Sequence, residues 1–426
     1  MPQHTVNEDL AVSSSPKPRL KVSVRNQVEV LIGSLDDYIA EDHKVRHVWN
    51  YVEQLDLSQI LSKIKSVESG PGAPAIDPKI LLGLWLYAFI EGITSAKVVN
   101  RYCKEHAAFK WLCGGVSVNE HTISDFRTIH GEAFSDLLTQ SIGVLSHQGL
   151  ITIDRVAQDG MKVEAHAGKS SFRREKTLKK HLKMAEEYVE SLKKESEKNP
   201  NELSKKQAAA KKRAAETSVK KTAMAIKELH KVRNQKAAEA KKKGKSFSQK
   251  DKEEVRASKT DPQARVMKMP NSGFAPAYNV QFASECKSKA IIGVTVTQSG
   301  HDYGQLGPMQ KQIHERFGRY PLEILVDPGY LSYTDIEKAA SNSCIYTPCD
   351  TVKTDKSPFL TEIKERMNEE EAKEIYKDRA ATAELVNART RTRGLTQILV
   401  TGLEKVQTMA ILFAIGNNML VWMSNQ

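Results

Sequence analysis

The sequence predicts an α+β fold: a helical N-terminal part, followed by a mixed β-sheet that carries a long basic helical hairpin after its first strand. Three observations support this prediction. Apolar residues recur at helical spacing from Asp77-Pro78 onwards. Short β-branched runs bounded by turn residues occur around residues 151–163, 278–296 and 322–326. A lysine-rich segment with a heptad-like apolar rhythm separates the first run from the second.

The chain has 426 residues, which is long enough for two or three domains. Changes in composition indicate where they divide. We predict a mobile leader at residues 1–20, a helical N-terminal domain at 21–148, a sheet-containing domain at 149–171 and 260–426, and a basic helical-hairpin insertion at 172–259.

The first helices can be placed from their caps and breakers. Residues 42–57 have a helical pattern, residues 69–74 form a Ser/Gly/Pro loop, and residues 28–35 fit either a strand or a helix. Asp77 is suited to an N-cap and Pro78 to the first turn, so a strongly apolar helix begins there.

Residues 95–130 have two interpretations. The spacing predicts a helix at 95–104, a shorter one near 109–112, and a third helix capped near Thr122. These helices form either a helix-turn-helix-like module, whose last helix enters a major groove of DNA, or a plain bundle that packs on the rest of the fold. The first interpretation requires exposed side chains on the third helix, for which the candidates are Asn119, His121, Ser124 and Arg127.

The positive charge of the chain is concentrated in one segment. The formal net charge is +12. Residues 172–259 contain 28 Lys and Arg against 13 Asp and Glu, which leaves 36 against 39 for the rest of the chain. Two amphipathic runs separated by Asn199-Pro200 predict an antiparallel helical hairpin. Its lysines either form an ordinary solvated surface or contact nucleic-acid phosphates, which would give affinity without sequence information.

Other features exclude several classes of protein. The five cysteines have no metal-ligand spacing, and an odd number argues against a secreted disulfide framework. The N-terminus has no signal-peptide pattern, and the apolar runs 81–93 and 409–423 are shorter than the roughly 18 residues expected of a membrane span. We therefore expect a cytoplasmic protein that does not cross a membrane.

Three acidic residues follow a pattern that suggests chemistry. Asp159 lies in an apolar strand pattern, where a carboxylate is costly to bury unless it is paired or binds a cation. Asp327 follows the apolar run 322–326 and precedes Pro328-Gly329. It would therefore lie at the carboxyl end of a strand, where α/β folds bind ligands. Glu384 lies in a helical segment with Arg379 five residues before it and Arg391 seven after. Each also has a plain structural interpretation: a solvated strand residue, a turn former and an exposed helical ion pair, respectively.

The rest of the sequence predicts the remaining strands and helices of the sheet-containing domain. Residues 278–282 and 290–296 predict a β-hairpin, and a helix at 306–317 follows, for which Asp302 is the predicted N-cap and otherwise a fourth acidic candidate. A helix at 334–340, a strand at 344–347 and the helix of Glu384 come last. Oxygen ligands are what Mg²⁺ prefers, so the three carboxylates suit metal-assisted phosphodiester chemistry.

The motifs around these carboxylates resemble those of bacterial insertion-sequence transposases of the DDE type. They read Gln158-Asp159-Gly160-x-Lys162, Val326-Asp327-x-Gly329-Tyr330 and Tyr376-x2-Arg379-x4-Glu384-x6-Arg391. Further blocks of the family occur in its order along almost the whole chain, including His121-Thr122-Ile123-Ser124-Asp125-Phe126-Arg127 and Tyr278-Asn279-Val280-Gln281. Arg391 stands where related groups often have Lys, which offers a forked contact instead of a point charge.

The resemblance implies an RNase H-like core in which Asp159, Asp327 and Glu384 bind two Mg²⁺ or Mn²⁺ ions. It implies cleavage at the ends of an insertion element and joining of the freed 3′-hydroxyl to target DNA. The partners would be double-stranded DNA and further copies of the chain assembled on it, in the nucleoid of a bacterial cytoplasm. The implied DNA contacts are Lys162, Tyr376, Arg379, Arg389, Arg391 and Arg393, with Arg127 and His121 from the N-terminal helices.

Two alternatives stay open at this stage. A nuclease with the same core would cut DNA without joining it. A non-catalytic descendant would bind DNA and leave it intact, although all three carboxylates are present in the sequence.

Overall fold

The structure is a computed structural model that describes residues 32–67, 73–198, 205–242, 244–349 and 358–426. Within these ranges the α+β prediction is confirmed, because helices surround one mixed six-stranded sheet. Three predictions lie outside the described residues: the leader at 1–20, most of the loop at 69–74, and the break at Asn199-Pro200.

Seven helices precede the sheet in the part of the chain that the structure describes. The predicted cap of the apolar helix is confirmed, since the Asp77 carboxylate accepts a hydrogen bond of 2.8 Å from the backbone N–H of Lys79. Of the segment 28–35 that fitted a strand or a helix, residues 28–31 lie outside the described residues, and its last residue begins a short 3₁₀ turn, Leu35–Tyr38. The helices are α1 (Lys44–Glu53), α2 (Ser58–Leu61), α3 (Pro78–Ile90), α4 (Ala96–Glu105), α5 (Ala107–Cys113), α6 (Glu120–Ile129) and α7 (Gly131–His147).

The main sheet is mixed in direction. Its long strands are β1 (Arg155–Glu164), β5 (Phe274–Glu285) and β6 (Ile291–Thr297), and β5 pairs antiparallel with both β1 and β6, which confirms the predicted hairpin. On the other side of β1, the strands β7 (Glu323–Leu325) and β8 (Cys344–Tyr346) run parallel to it. The short β4 (Arg265–Lys268) pairs with β5, so the order is β4-β5-β1-β7-β8, with β6 also on β5.

Two long helices lie between β1 and the rest of the sheet in sequence. They are α8 (Glu175–Lys198) and α9 (Lys205–Lys242), and α9 alone is about 57 Å long at 1.5 Å per residue. The short antiparallel strands β2 (Phe172–Arg174) and β3 (Arg256–Ser258) hold their base, and α10 (Gln249–Glu254) leads back to β3. Leu178, Ala225 and Leu229 form a small core where the two helices meet.

The last helix is the centre of the main core. Helix α16 (Leu403–Met423) packs against α1, α3, α6, α7 and the edge strand β6, so the N-terminal helices and one face of the sheet share one buried cluster. A Cβ on Gly416 would lie 2.6 Å from the Phe89 ring, so only glycine allows this approach. Asn418 joins the same helix to the sheet, because its Oδ1 accepts a hydrogen bond of 2.7 Å from the backbone N–H of Ile291 in β6.

Helix α16 is also long and apolar enough to cross a membrane by length and composition, unlike the shorter run predicted from the sequence. However, 83% of its apolar window is buried inside the fold, which is the environment of a core helix. The other helices of the C-terminal half are α11 (Leu306–Phe317), α12 (Tyr333–Ala340), α13 (Pro358–Asn368), α14 (Glu370–Arg379) and α15 (Leu385–Thr392).

Candidate active site

Adjacent parallel strands place the two aspartates side by side. Ala157 of β1 is paired with Leu325 of β7, and two residues further along each chain lie Asp159 and Asp327. Strand β7 ends at Leu325, because Asp327 turns the chain by accepting the Gly329 N–H at 2.8 Å. The turn-forming interpretation of Asp327 is thus correct, and it leaves the other carboxylate oxygen directed elsewhere.

Helices α14 and α15 carry the third acidic residue. They are joined by a π turn at Ala380–Glu384, in which hydrogen bonds run from i to i+5. In a regular α-helix, a residue five positions before Glu384 would lie further round the helix from it. The wider π turn brings residues five apart to the same side, and Arg379 Nη1 lies 3.9 Å from Glu384 Oε1.

The guanidinium of Arg379 is the point at which the three carboxylates meet. Its Nη2 lies 3.7 Å from Asp159 Oδ1 and 3.7 Å from Asp327 Oδ2. The side chain is 14% exposed, and its buried Nε has no hydrogen-bond partner. Glu384 is 67% exposed and lies at the rim. One cation thus contacts all three predicted acidic residues.

The two aspartates resist ionisation. Burial raises the pKa of Asp159 to about 6, an effect that Arg379 opposes and the nearby charge of Asp327 reinforces. Burial likewise raises the pKa of Asp327, again against the effect of Arg379. A perturbed pair of carboxyl groups in contact with a buried cation is typical of a functional site.

The donor set fits a hard divalent cation in its chemistry. Among the described residues, no group of three or more His, Cys, Asp or Glu side chains lies close enough together to hold a metal ion. The carboxylates of Asp159, Asp327 and Glu384 instead converge on the Arg379 cation. Carboxylate oxygens are the ligands that Mg²⁺ and Mn²⁺ prefer, so the chemistry of these three side chains fits such an ion.

Asp302 is not the helix cap that the sequence predicted. Asp335 accepts from the backbone N–H groups of Leu306 and Gly307 at 3.1 and 3.0 Å, so it caps α11 from 28 residues away. Asp302 Oδ1 instead accepts from Asn279 at 2.8 Å and from Gln281 at 2.5 Å.

Gly160 is required by this network. A Cβ on it would lie 2.0 Å from Asp302 Oδ1 and 2.3 Å from Gln281 Nε2. Gln281 also accepts from Tyr330, which follows Asp327 in sequence. The negative charge of Asp302 helps to raise the pKa of both Asp159 and Asp327.

Asn387 is a residue of the site that the sequence analysis missed. Its Nδ2 donates to Asp159 Oδ2 at 2.9 Å, and its side chain is buried. The spacing from Glu384 is three residues, which places both on one side of a helix and is the signal that could have identified it.

The predicted DNA contacts lie in different environments. The Tyr376 hydroxyl donates to the Val326 carbonyl at 3.1 Å, next to Asp327. Arg389 donates to Asn417 of α16 at 3.1 Å and Arg393 to the Ile90 carbonyl, so both anchor helices. Arg391 is exposed, and Lys162 is half-buried on β1.

The N-terminal candidates differ in exposure. His121 is exposed, whereas Asn119 caps α6 by accepting from Thr122 N–H at 2.9 Å. The prediction that Arg127 is exposed is wrong, because it is 4% exposed, stacks 4.5 Å from the Trp85 ring and donates to the Thr94 carbonyl at 2.6 Å. A buried arginine of this kind holds α6 against α3.

Comparison with known proteins gives two matches. A family model described as a transposase domain (DUF772) matches residues 33–129, and one described as a transposase DDE domain matches residues 350–422. No curated protein and no solved structure gives a significant match. The second model includes Arg379 and Glu384, while Asp159 and Asp327 lie outside both. Both models describe transposase domains, one before the strands of the main sheet in sequence and one after them, and together they support an insertion-sequence transposase of the DDE type.

Proposed function

We propose that this transposase cuts phosphodiester bonds at the ends of its element and joins the freed 3′-hydroxyl to target DNA. Asp159, Asp327 and Glu384 would hold two Mg²⁺ or Mn²⁺ ions. The observation that carries the proposal is the convergence of the three carboxylates on Arg379, at 3.7, 3.7 and 3.9 Å. When bound, two such ions stabilise the attacking and leaving oxygens of an in-line displacement at phosphorus.

The protein side chains have separate roles in this proposal. Asp159 and Asp327 are fixed by strands β1 and β7, whereas Glu384 is at the exposed rim and approaches from the π turn. Arg379 neutralises the carboxylates before metal binding and then binds a phosphate oxygen of the DNA. Tyr376, Arg391 and Lys162 position the backbone beside it, with help from Arg389 and Arg393. The in-line geometry requires no covalent intermediate with the enzyme.

The sheet supports an RNase H-like core. Three antiparallel strands in the spatial order β6-β5-β1 continue into two strands, β7 and β8, that run parallel to β1. In this interpretation residues 149–171 and 260–426 form the catalytic domain, and residues 172–259 are an insertion after its first strand. The helical N-terminal domain at residues 21–148 then contacts DNA ends through His121. Packing of its helices on α16 also fits a plain bundle that does not recognise DNA.

The basic helices give the DNA a second surface. On α8 and α9 the side chains of Lys183, Lys194 and Lys231 are 80%, 68% and 52% exposed. Such a surface would bind the phosphates of element ends and target alike, without reading bases. Two ends must be paired for joining, so the active form would be a homo-oligomer assembled on DNA in the bacterial nucleoid.

Substitution of each carboxylate by its amide tests the proposal. DNA carrying the sequences that flank the gene is incubated with Mg²⁺, and nicking, strand transfer and binding are measured separately. We expect Asp159→Asn, Asp327→Asn and Glu384→Gln each to abolish nicking and leave DNA binding intact. Asp154→Asn is the matched control, because Asp154 precedes β1 and pairs with the exposed Arg319 at 3.5 Å.

The wild-type products separate the alternatives. Nicks without strand-transfer products would indicate a nuclease, and binding without nicks would indicate a non-catalytic descendant. Full nicking by any one of the three variants would refute the shared metal site.

A further inference from the structure

Asn387 makes a contact that its position in the helix does not explain. It lies in α15, one turn after Glu384, and is 5% exposed. Its Nδ2 donates to Asp159 Oδ2 at 2.9 Å across the boundary between helix and sheet. Its Oδ1 is buried and has no hydrogen-bond partner. An unpaired buried acceptor costs about 1–3 kcal/mol, which the hydrogen bond to Asp159 has to offset.

The contact completes the fixation of Asp159. The other carboxylate oxygen, Oδ1, accepts from the Gly160 N–H at 2.9 Å. The terminal torsion of an Asp side chain is broad, so one donor would leave the plane of the carboxylate free to rotate. Two donors on different oxygens fix that plane. Oδ1 is then the oxygen directed at Arg379, which lies 3.7 Å away.

An asparagine suits this role better than a basic residue. A lysine or arginine at the same position would also donate to Asp159, but its charge would compete with a cation for the carboxylate. The amide donates without neutralising. It also ties the helix that carries Glu384 to the strand that carries Asp159, so the two distant parts of the carboxylate trio are held by one hydrogen bond.

We propose that Asn387 is a positioning residue that sets the orientation of the Asp159 carboxylate for binding a divalent cation. The inference rests on the proposed function, since it assumes that Asp159 is a metal ligand. It adds a residue outside the acidic motif. Residues that orient metal ligands typically change metal affinity by about 10–100-fold when they are removed.

The test uses the full chain without DNA. Binding of Mn²⁺ is measured by the decrease in the electron paramagnetic resonance signal of free Mn²⁺. Asn387→Leu keeps the approximate volume and removes the donor. We expect it to bind Mn²⁺ about 10–100-fold more weakly than the wild type. Its Tm should stay close to that of the wild type, because the loss of the donor to Asp159 Oδ2 is offset by removal of the unpaired Oδ1. If Asn387→Leu does not fold, Asn387→Ala, which adds no bulk, takes its place.

Asn100 provides the matched control. It is a helical asparagine in α4 whose Oδ1 is likewise buried without a partner. Asn100→Leu removes a similar unpaired oxygen far from Asp159 in sequence and should leave Mn²⁺ binding unchanged.

Three results decide between the outcomes. If wild type binds Mn²⁺, Asp159→Asn does not, and Asn387→Leu binds as wild type does, the positioning role is wrong while the metal site stands. If wild type binds no Mn²⁺, both proposals fall together. Weaker binding by Asn387→Leu with an unchanged or raised Tm supports the role, since loss of folding alone would lower both.

Discussion

Arg379 lies 3.7 Å from Asp159, and both side chains are largely buried at the centre of the candidate active site. The same guanidinium contacts Asp327 and Glu384. In the absence of metal, this arginine supplies the positive charge that the carboxylates require. In the proposed function, a divalent cation would have to compete with this arginine or displace it, so the arginine would influence metal affinity as well as contact with DNA.

Replacing this arginine should strengthen metal binding while it weakens activity. In Arg379→Gln the competing charge is gone, and unit charges about 4 Å apart interact by about 4 kcal/mol near a protein surface before desolvation is counted. We expect Mn²⁺ affinity to rise about tenfold or more and metal-free Tm to fall, with nicking abolished. Calorimetric titration with Mn²⁺ measures the affinity. Arg319→Gln removes an exposed ion pair with Asp154 and a hydrogen bond to the Thr152 carbonyl, and it should leave Mn²⁺ affinity and nicking unchanged. Unchanged or weaker Mn²⁺ binding by Arg379→Gln would contradict the competition.

Asp159 should make stability depend on pH. Its pKa is about 6 in the folded protein against an ordinary value of 3.8, so the folded state holds the proton more tightly. As pH rises from 3.8 to about 6, Asp159 ionises in the unfolded chain before it does in the folded protein, so the free energy of unfolding falls. Above about pH 6 this loss of stability is complete.

A neutral isostere avoids the penalty. Asp159→Asn should match wild type at about pH 4 and be more stable by about 1–3 kcal/mol at neutral pH, in metal-free buffer. Thermal unfolding across this pH range measures the difference. A constant difference in Tm at every pH would show that Asp159 does not titrate in this way.

The basic helices should set the salt dependence of DNA binding. Deleting residues 185–220 and closing the gap with a short Gly-Ser linker keeps the anchoring core of Leu178, Ala225 and Leu229. The slope of log affinity against log salt should become shallower by about 0.9 for each DNA phosphate that the shortened protein no longer neutralises. Fluorescence anisotropy at several salt concentrations measures it. An unchanged slope would assign these lysines to a solvated surface. Exchanging Lys311, which is 75% exposed on α11, for Gln is the control for a general decrease in charge.

Gly160 should tolerate no side chain. In Gly160→Ala the new Cβ would overlap Asp302 and Gln281, so one of these must move or β1 must shift. We expect a loss of about 1–3 kcal/mol in the free energy of unfolding, together with lower nicking activity. Denaturant unfolding measures the former. Gly143→Ala in α7 is the control, because nothing lies within 4 Å of its added Cβ, and it should be neutral or stabilising.

Local patterns predicted most elements well. Helix α11 begins and ends where the apolar spacing indicated, and the hairpin of β5 and β6 was identified by its alternation. The error at Asp302 has a simple cause. A helix start can be recognised from the sequence, but the residue that caps it can come from another element, as Asp335 does here. The prediction that Arg127 is exposed was wrong for the same reason. Its burial is favourable only because Trp85 and Thr94, from elsewhere in the chain, contact the guanidinium.

The sequence by itself determined the elements, the concentration of positive charge, and the three acidic residues, because hydrophobic period, turn chemistry and charge are local properties of a chain. Only the tertiary structure decided that Arg379 stands among the acids and that Asn387 holds Asp159. The first depends on a π turn that departs from the regular helical period, and the second on a contact between residues 228 positions apart. Spacing can place Asn387 on the same helix face as Glu384, but the contacts of Arg379 and Asn387 with Asp159 arise only where this helical segment docks on the sheet.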